Sequence, residues 1–419
     1  LSDGSEAVFN AKSSNDFHKK QSGTSLESKL YQNIQNELSN PLVAREIDIS
    51  FPKKAVTRRN TGYAIDALLN SKLFSKNSQD FNFCKLLTGS EGTLAFTTEI
   101  KLNLVPLPKP HLVLIAAHFS SINESLQAAV LVMKDHPSAC ELMDKTILDC
   151  TKENIEQHAN RFFIKGEPEA ILIIEVRANS TIEAEVYADA IIDKFKKAKL
   201  GYEYPKITGK NTERVWNLRK AGLGLLANIP GDKKAVACIE DTAVAIEDLP
   251  EYITAFTSLL LSYGQKAVYY AHAGAGEIHL RPILDLKKSE DVKLFRQISE
   301  ASAKLVKKYR GSLSGEHGDG RVRAEFIPIV VGNKNYELFH RIKKTWDPQN
   351  IFNPGKIVNA KRMDENLRYT PDDETPKINT MFNFEETGGI LRTVEKCNGS
   401  GDCRKLNFSG GTMCPSYRA

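Results

Sequence analysis

The sequence predicts an α+β fold, and three observations carry that expectation. β-rich runs and helical runs alternate through the middle of the chain. A proline-rich segment, residues 104–110, separates this alternating region from the first hundred residues. Near its end the region folds back on itself: residues 266–271 and 278–284 are β-rich, with glycines between them that read as a hairpin turn.

Taken in order, residues 1–105 carry short strands with one polar interruption, 17–40, that reads as exposed helix. After the proline boundary come a strand at 112–118 and a helix at 122–134, then a strand at 170–177 and a helix at 181–199. A strand at 236–240 and a helix at 249–263 lead into the hairpin, and a long helix at 292–308 follows. Two β-α-β units with extra hairpins predict an antiparallel or mixed sheet with helices on one face, in the ferredoxin-like style. Residues 362–377 are polar and proline-containing, a linker. The expected domains are therefore 1–108, 109–360 and 361–419.

With 419 residues, 41% of them apolar and 26% charged, the chain can bury full cores, which excludes a disordered protein. A dispersed net charge of +5 argues against a nucleic-acid partner. No run has the length of a transmembrane segment; the most apolar stretch, 253–263, contains serine and threonine and reads as a buried helix. The chain opens on Leu1 and ends inside a cysteine motif, as an internal piece of a longer protein does. Cys84, Cys140, Cys150 and Cys238 are scattered among mostly apolar neighbours, as reduced, buried thiols of a cytoplasmic protein are.

Two motifs carry the chemistry. The first runs Ala271-His272-Ala273-Gly274-Ala275-Gly276-Glu277-Ile278-His279; the second is Ser314-Gly315-Glu316-His317-Gly318-Asp319-Gly320. His272, His279 and Glu316 make a three-ligand set for a divalent metal with an open position. His317, beside Glu316, is placed to be a base. Centring the turn on Ala275-Gly276 makes the two histidines a directly opposed cross-strand pair, with Cβ atoms roughly 4.5–5.5 Å apart. The same ion could instead activate water, so a metal-dependent hydrolase is the rival reading, and a non-catalytic subunit a further one.

Further candidates surround this pair. Arg58 to Tyr63 and Leu87 to Leu94 set glycine beside hydroxyl and amide groups, which lets a backbone approach a phosphate or ring heteroatom closely. Arg219, on a helix after Trp216, can grip a carboxylate in a fork. Arg281 lies two positions past His279 and so on the same strand face. Cys397, Cys403 and Cys414, the last followed by Pro415, match part of the ferredoxin pattern C-x2-C-x2-C-x3-C-P, with Ser400 in a middle cysteine position.

Arg59-Asn60-Thr61-Gly62-Tyr63, Gly89-Ser90-Glu91-Gly92-Thr93-Leu94, the His272/His279 hairpin, the Glu316-His317 loop and Phe352-Asn353-Pro354-Gly355-Lys356 occur in one order. That order resembles the flavin-linked D-2-hydroxy-acid dehydrogenases, which oxidise D-lactate, glycolate or D-2-hydroxyglutarate. The resemblance implies the C-terminal half of a vanillyl-alcohol-oxidase type FAD domain at 1–108 and a substrate- and metal-binding cap at 109–360. It also implies the start of a 4Fe-4S segment near Cys397, Cys403 and Cys414. Asn60, Thr61, Gly62, Tyr63, Gly89, Ser90, Glu91, Gly92, Thr93 and Asn353 would lie against FAD. His272, His279 and Glu316 would bind zinc or manganese, His317 would be the general base, and Arg219 would bind the substrate carboxylate. Electrons would leave through the iron–sulfur module to a quinone or carrier. A homodimer, peripheral on the inner face of a membrane, completes the expectation. The hairpin departs from the family pattern at Ala275, Glu277 and Arg281, where Asp, Asn and Asn are usual, so the substrate pocket is this chain's own.

Overall fold

The computed structural model describes residues 1–397 except 153, 227, 228 and 230. Its centre is an antiparallel sheet: β1 (His111–Phe119), β2 (Ala139–Asp144), β3 (Ala170–Ala178), β4 (Lys206–Ile207), β5 (Lys234–Ala235), β6 (Thr242–Ala243), β7 (Ala267–His272) and β8 (Glu277–Leu284). The order is β4-β1-β3-β2-β7-β8-β5, with β6 also paired to β8. The α+β expectation holds.

Helices cover both faces of the sheet, not one. On one face Val113, Ile115, Leu172 and Ile174 pack with Leu126, Ala188 and Phe256 from the helices Ile122–Met133, Thr181–Ala198 and Leu249–Ser262. On the other, Leu114, Ala116, Ile171 and Ile173 pack with Ile147 and Leu148, and with Val215 and Leu218 of the helix Asn211–Leu225. The reason is legible in β1 and β3, whose apolar residues run continuously instead of alternating, as strands buried on two sides require.

The first hundred residues hold helices instead of the expected short strands. Five are formed, from Ser14–Lys20 to Cys84–Leu87, and among the described residues the only pairing there is the isolated bridge Lys12↔Phe81. Local chemistry starts them: Ser13, Ser25 and Asn40 each cap a helix through the side-chain oxygen, and Pro41 fills the first turn of the third. The segment expected as exposed helix is two helices with a buried face. Leu30, Ile34 and Leu38 recur every four residues and pack with Phe17 and Tyr31. Ala324, Ile327, Leu338, Phe339, Ile342 and Trp346 return late in the chain to close this same core.

Residues 95–108 form neither helix nor strand, and Phe96, Ile100, Leu102, Leu104, Val105 and Leu107 stand exposed along them. The expected strand at 236–240 is absent. The chain pairs only at β5 and β6 and turns between them at Asp241, whose φ of +80° breaks extended backbone.

The histidine hairpin forms, in a different register. His272 opposes Glu277, and His279 opposes Tyr270. Its turn is a 3-10 turn, Ala273–Ala275, closed by Gly276 at φ +70°, one residue earlier than expected. A Cβ on Gly276 would lie 2.2 Å from the Val244 carbonyl oxygen. Gly276→Ala should therefore destabilise the fold by about 2 kcal/mol or more, seen as a lower urea midpoint with unchanged slope. An unchanged midpoint would mean that the turn relaxes without cost.

Candidate functional site

His272 and His279 are diagonal neighbours on one face of the hairpin, with ring centroids 5.1 Å apart. The Glu316-His317 loop follows the helix Ser289–Lys308 and is laid over them by Asp241. The buried Asp241 carboxylate accepts from the backbone N–H groups of Glu316 and His317, each at 3.0 Å, and from the Ser314 hydroxyl. Gly315 lets the loop pass close: a Cβ there would lie 2.4 Å from Glu277 Oε1. Glu316 Oε1 thus comes within 3.3 Å of His272 Nε2, and the His317 ring stacks on His279 at 5.3 Å and 4°.

These positions fit a divalent metal. His272, His279 and Glu316 can bring one ligand atom each within 4.8 Å of one another. His279 is 4% exposed and its Nδ1 has no hydrogen-bond partner. Burial, with the neighbouring His272 and His317, pushes its pKa down to about 3, so the ring is neutral with a lone pair to offer. Asp241 also lies within such a group, with His279 and His317. Its carboxylate is already taken by three donors, which makes it the organiser of the loop.

Several participants were given no part in the metal site by the sequence. Glu277, fully buried, faces Asp241; burial and that carboxylate push its pKa above the ordinary range, and neither of its carboxyl oxygens has a hydrogen-bond partner. Arg58 reaches in from the N-terminal part to Glu316, at 2.5 Å, and to Glu277, at 3.5 Å. Glu240 lies 3.7 Å from His317 Nδ1. Glu141 bonds His272 Nδ1 at 2.9 Å. Acids in apolar runs, as in Cys140-Glu141-Leu142-Met143 and Cys238-Ile239-Glu240-Asp241, are the signal that could have found two of them, Glu141 and Glu240.

The two arginines are already engaged. Arg219 is 7% exposed, ion-paired with Glu141, and donates to the Tyr270 hydroxyl at 2.7 Å. Arg281 pairs with Glu240, its Nε at 2.8 Å.

The residues expected against FAD form one block beside the loop. Asn60 N–H donates to the Ser314 carbonyl at 2.8 Å, and the Thr61 hydroxyl accepts from Ser314 N–H at 2.8 Å. Gly62 N–H donates to Asp319 at 2.6 Å; burial pushes that carboxyl up to about 7. Glu91 accepts from the N–H groups of Asp319 and Gly320, and Asn353 donates to the Glu91 carbonyl at 2.6 Å. Gly89 passes against Asn60, where a Cβ would lie 2.2 Å from Oδ1. Ser90 donates to the Leu87 carbonyl, and Gly92 sits at φ +66°. Tyr63 and Thr93 are wholly buried and bonded to each other at 2.7 Å, so their side chains support the block from behind. A cleft of about 440 Å3 opens on this block, lined by Arg59, Asn60, Thr61, Gly62, Thr88 and Ser312 among others. A cleft with backbone amides and hydroxyls on its wall fits a flavin. Of the iron–sulfur candidates, Cys397 is exposed, and Cys403 and Cys414 lie outside the described residues.

The D-2-hydroxyglutarate dehydrogenase of Pseudomonas putida is 32% identical over 395 residues, 90% of this chain and 37% of that protein. That of Haemophilus influenzae is 34% identical over 383 residues, 85% of this chain and 35% of that protein. The D-lactate dehydrogenase of Archaeoglobus fulgidus is 30% identical over 287 residues, 68% of this chain and 59% of that protein. The chain thus spans little more than a third of the length of the two hydroxyglutarate dehydrogenases. Residues 109–357, which hold the sheet, the hairpin and the Glu-His loop, match the family described as FAD linked oxidases, C-terminal domain. The chain belongs to that family.

Proposed function

We propose that this chain is the substrate-binding part of an enzyme that oxidises a D-2-hydroxy acid to the 2-oxo acid with FAD. The observation that carries the reading is His317 stacked on a neutral, partnerless His279, within reach of Glu316 and beside the Asn60–Tyr63 block. Bound FAD supplies a hydride acceptor, and a divalent metal such as zinc or manganese, held by His272, His279 and Glu316, a Lewis acid for the substrate's oxygens.

The chain's own residues do the rest. His317 takes the hydroxyl proton at Nε2. Its Nδ1 faces Glu240 at 3.7 Å and Asp241 at 3.9 Å, two carboxylates that stabilise the imidazolium so formed. Asp241 keeps base and ligand on one rigid loop. The resemblance at the chain's end supports electron transfer to a 4Fe-4S module and on to a quinone or carrier. Among the described residues no helix is long and apolar enough to cross a membrane.

The test uses the flavin-loaded protein that carries this chain, mixed without oxygen with D-2-hydroxyglutarate, D-malate, D-lactate or glycolate. Bleaching of the flavin by at least one of them, and not by the L-enantiomers of the chiral acids, is expected. A flavin that none of them bleaches would end the reading.

Arg281 bears on which acid is used. It already faces Glu240, so a second carboxylate must compete for it. If the substrate is a dicarboxylate, Arg281→Ala should raise KM for D-2-hydroxyglutarate about tenfold or more and leave D-lactate nearly unaffected. Equal effects on both acids would make Arg281 the neutralising partner of Glu240 alone.

A further inference from the structure

β2 and β7 pair with Leu142 opposite Ala271 and Met143 opposite Tyr270. Continuing that register by one residue sets Glu141 opposite His272. The two ring nitrogens of His272 have separate partners. Nδ1 lies 3.1 and 2.9 Å from the two Glu141 carboxylate oxygens, and Nε2 lies 3.3 Å from Glu316 Oε1. An imidazole whose Nδ1–H is given to a carboxylate has its lone pair on Nε2, the form that binds a metal. Glu141 is in turn held from the other side. Arg219 pairs with it through Nη2 and donates through Nη1 to the Tyr270 hydroxyl at 2.7 Å, with its guanidinium 4.3 Å above the Tyr270 ring. The Arg219 Nη2 also approaches the Ala271 carbonyl at 3.3 Å. Arg219, itself held by the Tyr270 hydroxyl and the Ala271 carbonyl, thus fixes a single carboxylate against a single ring.

We propose that Glu141 is the positioning residue of His272: it keeps the ring proton on Nδ1 and aims Nε2 at Glu316, while Arg219 locks Glu141 in place. The role rests on the metal reading above. It gives Arg219 work besides carboxylate recognition, and it explains why an acid sits among Cys140, Leu142 and Met143, all buried. A merely structural Glu141–Arg219 pair would affect stability and leave metal affinity alone.

The experiment uses the 419-residue chain freed of metal, as wild type, Glu141→Gln and Glu141→Ala. Zinc or manganese alone is titrated against a chromophoric chelator. Glu141→Ala should weaken binding about 10–100-fold. Glu141→Gln should weaken it less, because the amide oxygen still accepts from Nδ1–H. In the metal-free wild type, nitrogen-15 shifts of the His272 ring should report the Nδ1–H tautomer, and in Glu141→Ala a mixture. Urea unfolding of each form separates these effects from loss of fold; if the alanine variant does not fold, the glutamine variant and the wild-type tautomer decide. Variants that bind metal as tightly as wild type, or an Nε2–H tautomer in wild type, would overturn the role of Glu141. A wild-type chain that binds neither ion would remove the metal site itself, and the role with it.

Discussion

Replacing His317 with alanine should lower the rate of flavin reduction by a D-2-hydroxy acid on the order of 10²–10⁴-fold, while flavin and metal content stay near wild type. The magnitude is that of a lost general base. The selectivity follows from the ring's surroundings. His317 is 42% exposed at its side chain, and its contacts to Glu240, Asp241 and Glu316 are long, 3.7 to 3.9 Å. The loop is held by the backbone N–H of His317, which alanine retains. Rapid-mixing absorbance of the oxygen-free enzyme measures the rate, and elemental analysis the metal. Lost metal with near-normal turnover would reverse the assignment and make His317 a ligand.

The double replacement His272→Ala, His279→Ala should reduce bound metal from about one ion per chain to none detectable. Three protein donors are the usual minimum for a catalytic site, and the one remaining, Glu316, is already paired with Arg58. Neither ring holds up the hairpin. Its strands are joined by backbone pairs from Ala267↔Pro282 to His272↔Glu277, and its turn is docked by the Val244 N–H to the Gly276 carbonyl. Circular dichroism should therefore match wild type. Full metal occupancy in a folded double variant would refute the ligand set.

Much of the site was legible because its chemistry is clustered along the chain. Histidines and a glutamate among glycines stand out locally, since each glycine marks a place where the backbone must pass close: Gly276 against Val244, Gly315 against Glu277. The helices and strands of the cap were legible for a similar reason, because periodicity is a property of consecutive residues. The coverage of both sheet faces was also written there, in the unbroken apolar runs of β1 and β3.

By itself, then, the sequence determined the α+β class, the main helices and strands of residues 109–357, and His272, His279, Glu316 and His317 as the candidates. Only the tertiary structure decided how these act together. The hairpin register turned on a 3-10 turn closed by a left-handed glycine, and a change of turn shifts every cross-strand partner, here placing Glu277 and not His279 opposite His272. Glu141, the consecutive Glu240 and Asp241, and Arg58 reach the site from three other segments, and nothing in their local patterns states the destination. A charged side chain on a mixed surface and one buried beside an imidazole look alike in sequence. What separates them is desolvation, which makes an unpartnered buried charge costly, and the partners that offset it are supplied by distant parts of the chain.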